Sequence, residues 1–251
     1  MRLIIRADDL GFSEGVNCGI YKAVKDGVVT SVGMMSNMDS AKQGYELLKN
    51  ENIALGLHCN ICAGRPITDP VLIPSLVQDN GDFCFSKDIR VRDSDTIVVD
   101  EAEREIEAQL ERFVEITGRY PDYFEGHAVF SKNFFRAIEN VARRHQLFFE
   151  NPIIDKNWEI DNGIYGFPFA KLNDQGLYDP RQYMEDHLSI IKNSPCAIAV
   201  FHPGYLDQYI LNHSSFTLIR AMECEFLCSD WLKQWIKDHK IELVDFRNYK
   251  N

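Results

Sequence analysis

Leu3-Ile4-Ile5-Arg6-Ala7-Asp8-Asp9-Leu10-Gly11-Phe12-Ser13-Glu14 opens the chain. Leu3 to Ala7 is apolar on both faces apart from Arg6, the pattern of a strand covered on both sides. Two carboxylates, Asp8 and Asp9, stand at its C-terminal end. Buried carboxylates must be hydrogen-bonded, paired with a cation or bound to a metal. Adjacent strand residues point to opposite faces, so the two need not share a task. Asp also favours turns and helix caps, and this stretch alone leaves that plainer reading open.

Strand and helix keep alternating beyond it. Ser13 to Asp26 reads as a helix capped by Ser13, with Val16, Ile20, Ala23 and Val24 in one stripe. Val28 to Met35 is the second strand, Ser40 to Asn50 a helix, and Ile53 to His58 a strand that ends on a histidine. Cys59 to Asp95 is long, irregular and punctuated by Pro and Gly, as lids and binding loops are. Val99 to Gly118 is an amphipathic helix, and Tyr120 to His127 a weaker strand with a histidine at its end. A helix over Lys132 to Gln146 and short strands at Leu147 to Glu150 and Ile164 to Phe167 follow. Arg181 to Asn193 is helical, Pro195 to His202 is a buried strand with a third terminal histidine, Thr217 to His239 is a long helix, and Ile241 to Phe246 a last strand.

Strand then helix, repeated about seven times, implies an α/β chain with mainly parallel strands and helices outside. The expected architecture is a distorted (β/α) barrel forming a single domain over residues 1–251. Such folds bind ligands at the C-terminal ends of their strands, where Asp8, Asp9, His58, His127 and His202 all fall. A lone buried histidine is more often part of the core, but three at one rim facing an Asp pair point to a shared site. A carboxylate with two imidazoles is a common ligand set for a catalytic divalent metal. His145, His187, His213 and His239 read as surface residues.

Composition narrows the partners. The chain has 251 residues, 45% of them hydrophobic, enough for one large core, and a net charge of -11. That charge argues against a sequence-independent nucleic-acid binder. An uninterrupted apolar run of about 18 residues is missing, so a membrane span is not expected. Seven cysteines without a framework spacing and the absence of a recognisable leader point to the cytoplasm. Cys59-x-x-Cys62 abuts His58 without a second paired motif, which argues against a zinc or redox role. The aromatic segment from Trp158 to Tyr178, including Phe167, together with Tyr205, offers rings for stacking on sugars. The same residues serve equally as core or as a dimer face.

Ala7-Asp8-Asp9-Leu10-Gly11-Phe12-Ser13, followed by Gly15-Val16-Asn17 and Gly19-Ile20, resembles the opening motif of the YdjC-like carbohydrate deacetylases. Val29-Thr30-Ser31, Met35 to Met38, Leu55 to His58, Glu103 with Gln109, Gly126-His127 and His202-Pro203-Gly204 extend the likeness along most of the chain. The resemblance implies a metal-dependent hydrolase that removes the acetyl group from the amide nitrogen of an acetylated amino sugar or oligosaccharide, usually as a homodimer. It implies Asp9, His58 and His127 as metal ligands, Asp8 as general base and His202 as acid; which Asp is base and which is ligand rests on analogy. Magnesium is the implied metal, and the two imidazoles also suit Zn, Mn, Fe, Co or Ni. Family members carry a run like Asp-Ser-His-x-His-x-His where this chain has Glu125-Gly126-His127-Ala128-Val129-Phe130-Ser131, and an arginine where it has Phe149-Glu150-Asn151. These departures imply either a different acyl substrate or a sugar-binding, regulatory relative that keeps the pocket without turnover. A third reading is metal-dependent hydrolysis of another bond, such as a phosphoester, with Arg6, Arg65 or Lys171 as the cationic clamp.

Overall fold

The computed structural model describes residues 1–150 and 163–249, together with the backbone of residues 159–160. The strands are β1 (Arg2–Leu10), β2 (Ser31–Met34), β3 (Ala54–Cys59), β4 (Phe124–Gly126), β5 (Glu159–Ile160), β6 (Ile164–Gly166), β7 (Cys196–Phe201) and β8 (Glu242–Leu243). They form one sheet in the order β4-β3-β2-β1-β7-β6-β5, with β8 pairing to β1. Every pairing is parallel except β5 with β6. The sheet curls into a distorted half-barrel: Phe130, just past β4 near one edge, meets Phe169, just past β6 near the other, with ring centroids 5.4 Å apart.

The helices are α1 (Glu14–Lys25), α2 (Ala41–Leu48), α3 (Ser86–Arg90), α4 (Val99–Thr117), α5 (Lys132–Arg144), α6 (Pro180–Asp186), α7 (Leu188–Asn193), α8 (Gln208–His213), α9 (Leu218–Cys228) and α10 (Asp230–Asp238). Local chemistry sets their ends. Ser13 caps α1 by accepting from the Val16 N–H, and Gly118 ends α4 in the left-handed conformation, where a residue without Cβ carries no penalty. Two helices expected to be continuous are broken. The 181–193 segment divides at His187, and the 217–239 segment at Ser229, whose extended backbone and hydroxyl start α10 by capping Leu232. The strand expected at Leu147 to Glu150 reduces to a single bridge between Phe124 and Phe149.

Alternation divides the core in two. Leu3, Ile5 and Ala7 of β1 join the large cluster under the helices. Ile4 faces inward with Ala54, Tyr123, Ile164, Cys196 and Ile198, forming the apolar floor of the half-barrel. Further along the strands the inward positions carry Arg6 and then Asp8 on β1, Gly56 and then His58 on β3, and Glu125, paired with His58, on β4. The interior therefore changes from apolar to charged on the way to the C-terminal mouth.

Candidate metal centre

β1 is longer than its apolar run suggests, passing through both aspartates to Leu10. Its register against β2 slips between Ala7 and Leu10. Asp9 takes φ 77, a left-handed conformation that is uncommon outside glycine and least costly for Asp and Asn. Strict alternation would send Asp8 and Asp9 to opposite faces. The irregularity at Asp9 instead brings its carboxylate to the mouth, where β3 ends with His58 and β4 leads into His127.

Three donor atoms converge there. His58 Nε2 lies 3.1 Å from Asp9 Oδ1 and 2.9 Å from His127 Nδ1, and His127 Nδ1 lies 3.1 Å from Asp9 Oδ1. Neighbouring ligands around an ion with bonds of ~2.1 Å are about 3.0 Å apart in an octahedron and about 3.4 Å apart in a tetrahedron. The triangle therefore matches one face of an octahedron, which leaves three positions open. Its chemistry also fits a cation, because two imidazole nitrogens this close need a proton or a metal between them. Burial alone would lower both imidazole pKa values. The carboxylates of Glu125, Asp8 and Asp9 reverse this at His58 and hold it well above the ordinary value; Asp9 does so at His127, which reaches about 9. A metal would compete for the same electron pairs.

Asp9 is held from behind by a residue that the sequence reading passed over. Arg220 of α9 is 1% exposed and donates from Nη2 to Asp9 Oδ2 at 2.7 Å and from Nε to the Phe216 carbonyl at 2.9 Å. Burial favours protonation of Asp9, but Arg220 and His127 outweigh it and keep the carboxyl well below its usual range. One helix turn away, buried Glu223 accepts from the backbone N–H of His202 and from the Tyr178 hydroxyl. Arg220, Glu223, Cys224 and Leu227 share the buried face of α9. Two charged residues at core spacing on one helix were the signal available in the sequence.

A second cluster sits just below. Asp8, His58 and Glu125 also bring donor atoms within 4.8 Å of one another. Here the positive charge is built in. Arg6 Nε and Nη2 hold the two oxygens of Asp8 at 2.7 and 2.9 Å, its Nη1 bonds Glu150, and Nη2 lies 3.7 Å from Glu125 Oε2. Burial alone would raise Asp8; Arg6, His58 and His202 bring it below the usual value. Glu150 is pushed up to about 7 by burial, with Glu125 and Asp8 adding to the effect. Glu150, in the neighbourhood where the resemblance implies an arginine, is paired with the Arg6 guanidinium from β1.

His202 follows β7 at the same mouth and packs edge-on against Phe216. Burial, helped by Arg220, lowers its pKa to about 4 despite Asp8 and Asp9, so it rests neutral. The stacking residues fare differently. Phe167 is only 6% exposed and lies against His187 and Tyr183; it is a packing residue and offers no open face to a sugar. Tyr205 is 45% exposed, and its ring neighbours Cys224 and Lys22 where α1 and α9 meet. Trp158 lies outside the described residues. The ring placed beside the triangle is Phe12, edge-on to His127 and to Tyr209 at 6.0 Å each. Three of the four histidines set aside earlier do local work at helix ends. His187, His213 and His239 each bond through Nδ1 to the carbonyl four residues back.

Comparison with known proteins agrees with this architecture. A protein from Listeria innocua named carbohydrate deacetylase 2 is 29% identical over 252 residues, covering 99% of this chain and 98% of its own. A carbohydrate deacetylase from Brevibacillus brevis is 31% identical over 255 residues, covering 98% of each chain. The crystal structure of a candidate cellobiose-phosphate cleavage protein from Enterococcus faecalis V583 superposes with a TM-score of 0.83 at 23% identity, covering 98% of this chain and 97% of that one. A family 4 acetyl xylan esterase from Clostridium thermocellum shares the fold more distantly, with a TM-score of 0.53 at 12% identity over 99% of this chain and 90% of its own. The profile described as YdjC-like protein matches residues 2–238, and the chain belongs to that family.

Proposed function

We propose that the protein is a metal-dependent hydrolase that removes the acetyl group from the amide nitrogen of an acetylated sugar. The observation that carries this reading is the Asp9–His58–His127 triangle at the mouth of the barrel, with its octahedral edge lengths. The names of the two deacetylase relatives support the choice of bond and substrate class.

A divalent cation on these three residues would supply Lewis acidity toward the acetyl carbonyl and acidify water in its open positions. The chain's own groups do the rest. Asp8, kept ionised by Arg6, retains a lone pair on each oxygen and takes the proton of the attacking water. The water oxygen bonds to the acetyl carbon. His202 rests neutral, so it acts as an acid only after receiving a proton within the cycle, and Asp8 is the neighbour that supplies it. The proton passes to the amide nitrogen as the C–N bond breaks, leaving an amine and acetic acid, which ionises to acetate in water. Phe12 excludes water beside His127.

The resemblance favours magnesium and a homodimer, and seven thiols without a disulfide favour the cytoplasm. Acetate release from N-acetylated chitooligosaccharides tests the activity. Turnover should vanish on chelation, return on adding metal, and be lost together with bound metal in His58→Ala and His127→Ala while the fold persists. Full activity in metal-stripped protein refutes the proposal. Sugar binding without acetate release selects the regulatory reading, and cleavage of a generic phosphoester selects the other hydrolase.

A further inference from the structure

Resting on the metal centre proposed above, we infer that Glu125 is the positioning residue for His58, fixing which ring nitrogen meets the cation. The parallel register of β3 and β4 pairs His58 with Glu125, so both project inward side by side from rigid backbone. Glu125 Oε1 lies 2.5 Å from His58 Nδ1. An ionised carboxylate only accepts, and a neutral imidazole has one N–H and one lone pair. The proton therefore belongs on Nδ1, and the lone pair on Nε2 points into the triangle with Asp9 Oδ1 and His127 Nδ1. Without that partner the ring can take the other tautomer or rotate, and the cation loses a donor.

Three features show that the contact is built in. Glu125 and His58 are both buried, so water does not substitute easily for either. Among the described residues, Glu125 Oε2 has no hydrogen bond, and Arg6 Nη2 at 3.7 Å holds that end by charge alone; the hydrogen bond that Glu125 makes is at Oε1, with His58. Space for it depends on Gly33 of β2. A Cβ there would stand 2.5 Å from Glu125 Oε1, 3.1 Å from Asp8 Oδ1 and 3.3 Å from His58 Cβ. The side chain is thus fitted into a gap that the neighbouring strand leaves open.

Metal-stripped full-length protein is titrated with Zn2+ against a chromophoric chelator, and the His58 tautomer is read by long-range 1H–15N NMR in the zinc-loaded form. Replacing the carboxylate in Glu125→Leu should weaken Zn2+ binding by about 10- to 100-fold and abolish the Nδ1–H signature of His58. Glu125→Gln, whose amide oxygen still accepts, should fall between it and the parent. Gly33→Ala leaves the charge intact but displaces the carboxylate, and should reproduce both effects; it decides the matter by the same readouts if Glu125→Leu does not fold. Parental affinity with an unchanged Nδ1–H signal in the variants overturns the role of Glu125 and leaves the metal centre standing. Failure of the parent protein to bind Zn2+ overturns the metal reading, and this inference with it.

Discussion

Gly19→Ala is the sharpest test of how the mouth is held. Gly19 lies on the buried face of α1 against the loop after β7 that carries His202-Pro203-Gly204. A Cβ at position 19 would come within 2.6 Å of the Gly204 carbonyl carbon and 2.8 Å of its nitrogen, and closer still to its Cα. All three atoms are backbone, so no rotamer change relieves the contact. Restoring ordinary van der Waals distance requires a shift of about 1 Å between helix and loop. Alanine gains about 1 kcal/mol over glycine in a helix interior. Overpacking costs ~1–3 kcal/mol, and more where only backbone can yield. A net loss of about 2 kcal/mol follows, lowering Tm by roughly 4–8 °C for a chain of this size. The displaced loop carries His202, and a misplacement of ~1 Å can cost about 100-fold in turnover. Gly204→Ala is the control, since its Cβ would meet Val16 Cγ2 at 3.2 Å, and Arg220 Cδ and the Val16 Cα at 3.3 Å each, a milder crowding. Thermal unfolding and acetate-release kinetics should rank the parent above Gly204→Ala and that above Gly19→Ala. A Gly19→Ala protein as stable as the parent refutes the close seating of α1 on this loop.

Further outcomes follow from the buried charges. Arg6→Met leaves Asp8, Glu125 and Glu150 facing one another without their cation, and removing one member of such a group costs ~3–5 kcal/mol; an unchanged urea midpoint counts against the arrangement. Burial raises Glu223 from 4.5 to about 7. Between those pH values the unfolded chain releases this proton while the folded chain keeps it, so stability falls as pH rises through the window and levels off above it. The effect is roughly 3 kcal/mol at most. Glu223→Gln should lose that part of the pH dependence, so urea midpoints of parent and variant that run parallel from pH 4 to 8 would be inconsistent with it. Ser13→Ala removes the cap on the Val16 N–H and should cost about 1 kcal/mol, read as a fall in Tm of a few degrees.

Sequence reading served best where residue type and place in the pattern agree. His58 and His202 each follow an apolar run and His127 a weaker strand, and the structure puts all three at one mouth. The reading failed where a single backbone choice overrides the pattern. Asp9 escapes alternation through a φ of 77, which no periodicity encodes. Ser229 looks like an ordinary polar residue within a long amphipathic segment, yet its extended backbone divides that segment into α9 and α10. Phe167 illustrates a different limit, because an aromatic residue has the same letter whether it packs inside or faces a ligand. Arg220 was missed because its partner, Asp9, is more than two hundred residues away in the chain, and only the folded helix shows that the guanidinium points inward.

The two guanidiniums explain why two adjacent aspartates can hold different roles. Arg6 rises from the same strand and binds both oxygens of Asp8. Arg220 arrives from α9 and binds only Oδ2 of Asp9, leaving Oδ1 for the imidazoles. A carboxylate held at both oxygens keeps a fixed plane, which suits a base that must stay aimed. A carboxylate held at one oxygen presents the other as a donor. The asymmetry is consistent with the proposed division, Asp8 as base and Asp9 as ligand, and gives it a chemical reason beside the analogy. Exchanging the anchors tests that logic. In Arg220→Met, Asp9 keeps its contacts to His58 and His127 but loses the restraint on Oδ2, so Zn2+ affinity should change while Asp8 remains ionised. In Arg6→Met, Asp8 loses the group that lowers its pKa, so the acidic limb of the turnover profile should move to higher pH. If the acidic limb moves with Arg220 and stays fixed with Arg6, the two aspartates have been assigned the wrong way round.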